Sequence, residues 1–106
     1  MHAGTLRYRV EVEAHIEERD EGGGVVERWE RLCTRWADIH PIRGREVFQA
    51  QAIDARITHK VTMRYLPTLT ASHRLVFAGR IFHMLTPPLN TGERGKETTC
   101  FCMEHV

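Results

Sequence analysis

The chain has 106 residues, 42% hydrophobic and 27% charged, with 15 basic side chains against 14 acidic and a formal net charge of +1. That size fits one domain, residues 1–106, with a modest core, and the charge balance argues against a protein that lives by non-specific DNA binding, though a local basic loop is compatible with it. Apolar runs of a few residues fall short of a membrane span, MHAGTLRYRV has no secretory h-region, and three cysteines, an odd number, fit reduced thiols in a cytoplasm.

The first element is LRYRVEVEAHIE, Leu6 to Glu17. Its even positions (Leu6, Tyr8, Val10, Val12, Ala14, Ile16) are apolar or aromatic and its odd positions polar. A period of two over this length predicts a half-buried strand. Asp20-Glu21 and the glycines Gly22, Gly23 and Gly24 then form a turn or flexible loop, because glycine accepts positive φ. The next segment, VVERWERLCTRWADI, is ambiguous. Trp29, Leu32, Cys33, Trp36 and Ala37 follow helical spacing, and the pattern alone favours a helix. As a strand its apolar phase slips between Trp29 and Leu32, which requires a bulge or a strong twist.

Pro41 and Gly44 punctuate the connection that follows. EVFQAQAIDAR, Glu46 to Arg56, lacks Gly and Pro and predicts a short helix. ITHKVTMRYL alternates again, with Ile57, His59, Val61, Met63 and Tyr65 on one face. RLVF (Arg74 to Phe77) and RIFHML (Arg80 to Leu85), separated by Ala78-Gly79, predict a tight hairpin. After Pro87-Pro88 and NTGERGK comes a last strand, ETTCFCMEHV. The chain therefore reads as mainly β: a small antiparallel barrel or sandwich of five to six strands, with one short helix or long loop after strand two.

Several features now coincide in order: the aGtLRyRV strand, a glycine turn, WADI with a following proline, Gly44-Arg45-Glu46 before an Ala/Gln-rich helix, ITHKVTMRYL, the RLVFAGRIFHML hairpin and a Cys102-Met103-Glu104 ending. In that order and spacing the chain resembles the bacteriophage head-tail joining family, the head-closure or stopper proteins of long-tailed phages and prophages. The likeness runs from Leu6 to Glu104, and it lies in the ordered set rather than in any single motif. It implies a small β-barrel whose second segment, Glu27 to Ile39, is a strand and not a helix.

The resemblance also implies a non-enzymatic virion protein at the head-tail interface, assembled in the host bacterial cytoplasm. Its implied partners are the portal and adaptor proteins, a tail-end protein, copies of itself in a ring, and packaged DNA in passing. No membrane, metal or cofactor is implied. The connection after strand two, with Ile42, Arg43, Gly44, Arg45, Glu46 and Gln49, would be an inter-ring or DNA-channel loop. Arg43 and Arg45 would then act on phosphate by charge alone. The plainer alternative is that RGRE is a solvated turn.

Other constellations are weaker. Cys100 and Cys102, two apart on a strand, share a face, but without a C-x2-C pair or clustered histidines they read as small apolar side chains and not zinc ligands. His59 and His83 read as half-buried core histidines, and Trp29, Trp36, Phe48, Tyr65, Phe77 and Phe82 as core aromatics. No nucleophile elbow, phosphate loop, dinucleotide fingerprint or H-E-x-x-H is present. An OB-like single-stranded nucleic-acid-binding module is the principal alternative, and two lysines, Lys60 and Lys96, count against it. A small metal-dependent enzyme is a third reading, which the missing ligand pairs disfavour.

Overall fold

The computed structural model describes residues 6–105. Ala3 to Thr5 of the first motif and Val106 of the last strand lie outside them. The strands are β1 (Tyr8–Arg19), β2 (Val25–Pro41), β3 (His59–Arg64), β4 (Arg74–Phe77), β5 (Arg80–Met84), β6 (Leu89–Asn90) and β7 (Glu97–His105). One helix, α1 (Arg45–Ile53), follows β2. Every pairing among the described strands is antiparallel. The order is β3-β2-β1-β4-β5-β7-β6, and β3 also pairs with β7, so six strands close into a ring that leaves few edges. The two-residue β6 is the strand beyond the five or six read from the sequence.

The interior follows from the alternation. Val10 and Val12 of β1, Val61 and Met63 of β3, Leu75 of β4, Phe82 of β5 and Cys100 and Cys102 of β7 all point inward and are fully buried. Ala37 of β2 joins them in the core. The two cysteines therefore pack as small apolar groups; burial pushes the Cys100 thiol up to about 12 and Cys102 upward as well. Ala78 and Gly79 close the β4–β5 hairpin, both with positive φ (50° and 79°), the backbone twist that two-residue hairpins prefer.

β2 is a strand throughout, so the helical spacing of Trp29 to Ala37 does not report a helix. Its cause is a bulge. Val12 pairs with Cys33 and Glu13 with Arg31, leaving Leu32 as the extra residue. The bulge lets Cys33 face inward beside Val12 while Trp29 and Arg31 join Glu13 on the outer face. The aromatic core expected from the sequence is accordingly much smaller. Phe82 is fully buried and Phe77 half-buried against the core, whereas Trp36, Phe48 and Tyr65 are exposed at 50%, 79% and 39%.

β1 and β2 run well past the ring. β1 meets β4 only over Glu11–Glu13, and β2 meets β3 only over Ala37–Pro41. Beyond those points the two strands pair only with each other, as a ribbon of about 20 Å for six residue pairs. This arm gives the molecule its 50 × 28 × 27 Å extents.

Candidate functional site

The connection singled out in the sequence is built as a short, anchored projection. The Ile42 N–H donates to the Thr58 carbonyl at 3.1 Å, tying the end of β2 to the approach of β3. Gly44 has φ 56° and ψ −128°, a conformation open to glycine and strained for other residues. The carbonyls of Arg43 and Gly44 then accept the N–H groups of Glu46 and Val47, which starts α1. Ala50 is buried, Val47 half-buried, and the Lys60 ammonium reaches the Glu46 carboxylate at 3.4 Å, so the helix is held against the body. The Asp54 carboxylate accepts from both the backbone and the guanidinium of Arg56, which closes the helix end and holds that carboxyl at about 2.

The outward side of α1 is left uncovered. Phe48 and Ile53 are exposed at 79% and 59%, beside exposed Arg45 and Gln49. Arg43 and Arg45 have no carboxylate within ion-pair distance among the described residues. Arg43 also lines a shallow groove with Arg7, Tyr8, Asp38, His40 and Glu46. Ile42, Arg43, Gly44, Arg45, Glu46 and Gln49 thus run from the end of β2 into α1: Ile42 is half-buried and tied to Thr58, the other five are exposed, and Phe48 stands bare among them. Phe48 and Ile53 with Arg43 and Arg45 make this side of α1 both apolar and cationic.

Gly22, Gly23 and Gly24 lie at the tip of the arm. The Asp20 carboxylate accepts the Gly24 N–H at 2.7 Å, and the Asp20 carbonyl accepts the Gly23 N–H. Gly23 has φ 81°, and a Cβ on Gly24 would come within 2.9 Å of the Asp20 carboxylate.

At the root of the arm sits a cluster that the sequence reading missed. The Arg74 guanidinium lies 4.1 Å from the centre of the Trp29 ring and donates to the Glu13 carboxylate at 2.7 Å. Both partners of that ion pair are largely covered, at 18% and 16% exposure. His15 packs against Trp29, ring centres 5.1 Å apart, and His83 contacts both Trp29 and His105. His83 therefore belongs to the outer face and not the core, because its neighbours Phe82 and Met84 take the inward positions. His59 does pack on the core, edge-on to Phe82. Burial lowers the pKa of both histidines; the charges on His105 and Arg74 add to the effect at His83. The clue in the sequence was the phase slip before Leu32, which decides that Trp29 faces outward.

Metal-ligating side chains come together once among the described residues: His15, Glu17 and Glu27 bring their ligand atoms within 4.8 Å of one another. No cysteine joins them. No helix among the described residues is long and apolar enough to cross a membrane.

Closed antiparallel ring, uncovered helix and projecting arm define a small β protein whose distinctive chemistry lies on surfaces fit for contacts. Comparison with known proteins gives the family. A family model for phage head completion proteins matches residues 1–105. The head completion protein gp7 of Enterobacteria phage HK97 is 32% identical over 94 residues, which is 84% of each chain. The chain belongs to the phage head completion protein family. Two solved structures share the fold. The solution structure of protein SF1141 from Shigella flexneri 2a has a TM-score of 0.79 and 24% identity, covering 100% of this chain and 98% of its own. A chain in the virion of a native gene transfer agent particle has a TM-score of 0.64 and 19% identity, covering 95% and 96%.

Proposed function

We propose that this protein closes the DNA-filled head at the joint with the tail. Copies form a ring beneath the portal and adaptor proteins, and the ring offers the surface on which a tail-end protein docks. The observation that carries this reading is the uncovered α1 surface. Phe48 is exposed at 79% beside Arg43 and Arg45, on a helix whose other side is firmly anchored. A family whose task is to complete a particle needs such surfaces for neighbours. A ring multiplies each local cation by the number of copies, so a net charge of +1 per chain is no obstacle to contact with packaged DNA. Such contact is electrostatic and does not read sequence. The body carries out no chemistry of its own in this role. Burial raises the pKa of its inward thiols, Cys100 and Cys102, and lowers that of His59, His73 and His83.

Electron microscopy of particles lacking this one gene tests the reading. Tailless heads that have lost their DNA, beside separate finished tails, are expected. Normal tailed particles would remove the protein from the joint.

A further inference from the structure

Charge is segregated along the molecule. From Ala14 to Arg31, the arm together with the β2 residue at its root, there are six carboxylates (Glu17, Glu18, Asp20, Glu21, Glu27, Glu30) against three guanidiniums (Arg19, Arg28, Arg31), a net of −3. The rest of the chain is therefore +4, since the whole is +1. Within the arm Arg28 is taken by Glu18 and Arg31 by Glu11, the latter carboxylate lying in the ring. Glu17 and Glu21 have no cation partner among the described residues. Glu17 also stands directly opposite Glu27 in the strand ladder. Like charges so placed destabilise a strand pair unless a cation lies beside them; the nearest basic group is the His15 imidazole, 3.6 Å from the Glu27 carboxylate. Val25 and Val26, next to the turn, are exposed at 60% and 47%. The arm thus presents an acidic end with two bare valines, and its direction is fixed at the root by Arg74 between Glu13 and Trp29.

The α1 surface is the complement: bare Phe48 and Ile53 beside the unpaired cations Arg43 and Arg45. We propose that the arm of one copy docks on the α1 surface of a second copy, Glu17, Glu21 and Glu27 meeting Arg43 and Arg45 while the valines cover Phe48. Arm-to-arm pairing would bring two net −3 ribbons together and is disfavoured by charge. DNA is repelled from the arm for the same reason. Because the two surfaces differ, the contact is head-to-tail, the kind that repeats around an axis and closes into a ring. This deepens the ring reading above and rests on it, since it names the joint between neighbouring copies.

Cross-linking of the purified full chain tests the joint even where association is brief. Glu21→Cys is mixed with Arg45→Cys under mild oxidation, and in parallel with Ser72→Cys, at an exposed position on another loop. Cys33 is common to both mixtures. The mixed disulfide of the first pair should form about tenfold faster or more than that of the control, because docking raises the local thiol concentration. About 0.5 M salt should remove most of the difference. Adding Arg43→Glu to the Arg45→Cys copy should slow the reaction, and adding Glu17→Arg to the Glu21→Cys copy should restore it. Equal rates for the two pairs would overturn the proposal. It would equally fall if Arg43→Glu weakened binding to a short DNA duplex and left cross-linking unchanged, because the arginine would then serve phosphate. Equal rates alongside unfinished heads in the gene deletion would leave head completion standing and remove only this joint.

Discussion

The ring and the arm are made from the same two strands and obey different rules. In β1, Val10 and Val12 are fully buried, while Glu17 to Arg19, one arm-length further on, are exposed. In β2, Ala37 is buried and everything from Val25 to Glu30 is exposed apart from Trp29. Within the ring, each strand has a neighbour on both sides and a core beneath it. In the arm, two strands have only each other, and a lone two-stranded ribbon is marginal in water. The arm persists because its root is clasped by Arg74 between Glu13 and Trp29 and its tip by Asp20. The ring holds the fold; the arm and α1 project from it.

Substitutions should separate the two regions by size of effect. Val10→Asp is the most severe, since it places an unpaired carboxylate at a position with no solvent access. It should prevent folding, visible as loss of cooperative thermal unfolding and rapid labelling of Cys100 and Cys102. A folded, soluble Val10→Asp protein would show that the ring interior is misplaced. Phe82→Ala should cost about 3–5 kcal/mol in denaturant unfolding, as for other large buried side chains. Arg74→Ala leaves the half-buried Glu13 carboxylate unpaired and uncovers Trp29; about 1–3 kcal/mol is expected. Its sharper signature is local: amide exchange should rise in the arm and not in β3 or β7. Uniform exchange would mean that the clasp does not govern the arm.

A smaller effect should come from acid. Burial lowers the pKa of His59, His73 and His83 in the folded chain. The unfolded chain then binds more protons than the folded one below about pH 6.5, so the Tm should fall as pH is lowered from about 7 toward 5. Glu104, held low by Arg80, and Asp54, held at about 2 by Arg56, work in the same direction at lower pH still, because each loses its contribution as it protonates. His59→Gln should flatten the first part of that slope; an unchanged slope would mean that His59 is not strained by burial. Phe48→Ser should be nearly silent, within about 0.5 kcal/mol, since its ring is in solvent. A large loss there would mean that Phe48 serves the fold and not a neighbour.

Much of the ring was legible in the sequence because period-two alternation is the direct image of a sheet with one buried face. The strand of Val10 and Val12, the hairpin at Ala78-Gly79 and the inward cysteines all follow from it. The second strand was not legible by periodicity. A single bulged residue, Leu32, moves Trp29 to the outer face and leaves spacing that imitates a helix. Only likeness to the head-joining family pointed to a strand there. Aromatic residues misled for a related reason: Trp36 lies on the outer face with Arg9 over its ring, and Phe48 projects from a helix anchored by smaller Ala50. Hydrophobicity alone does not separate a core position from an exposed one. The Arg74 clasp joins residues 61 apart in sequence to Glu13, and no local pattern announces it.

The most direct test is a cryo-electron microscopy reconstruction of completed heads carrying this protein, at a resolution that traces side chains. It should show a closed ring of copies at the tail vertex, with each acidic arm lying across the α1 surface of its neighbour and Arg43 beside Glu17 or Glu21. A vertex without the protein, or a ring whose arms stand free while Phe48 stays in solvent, would contradict the division of labour between ring and arm.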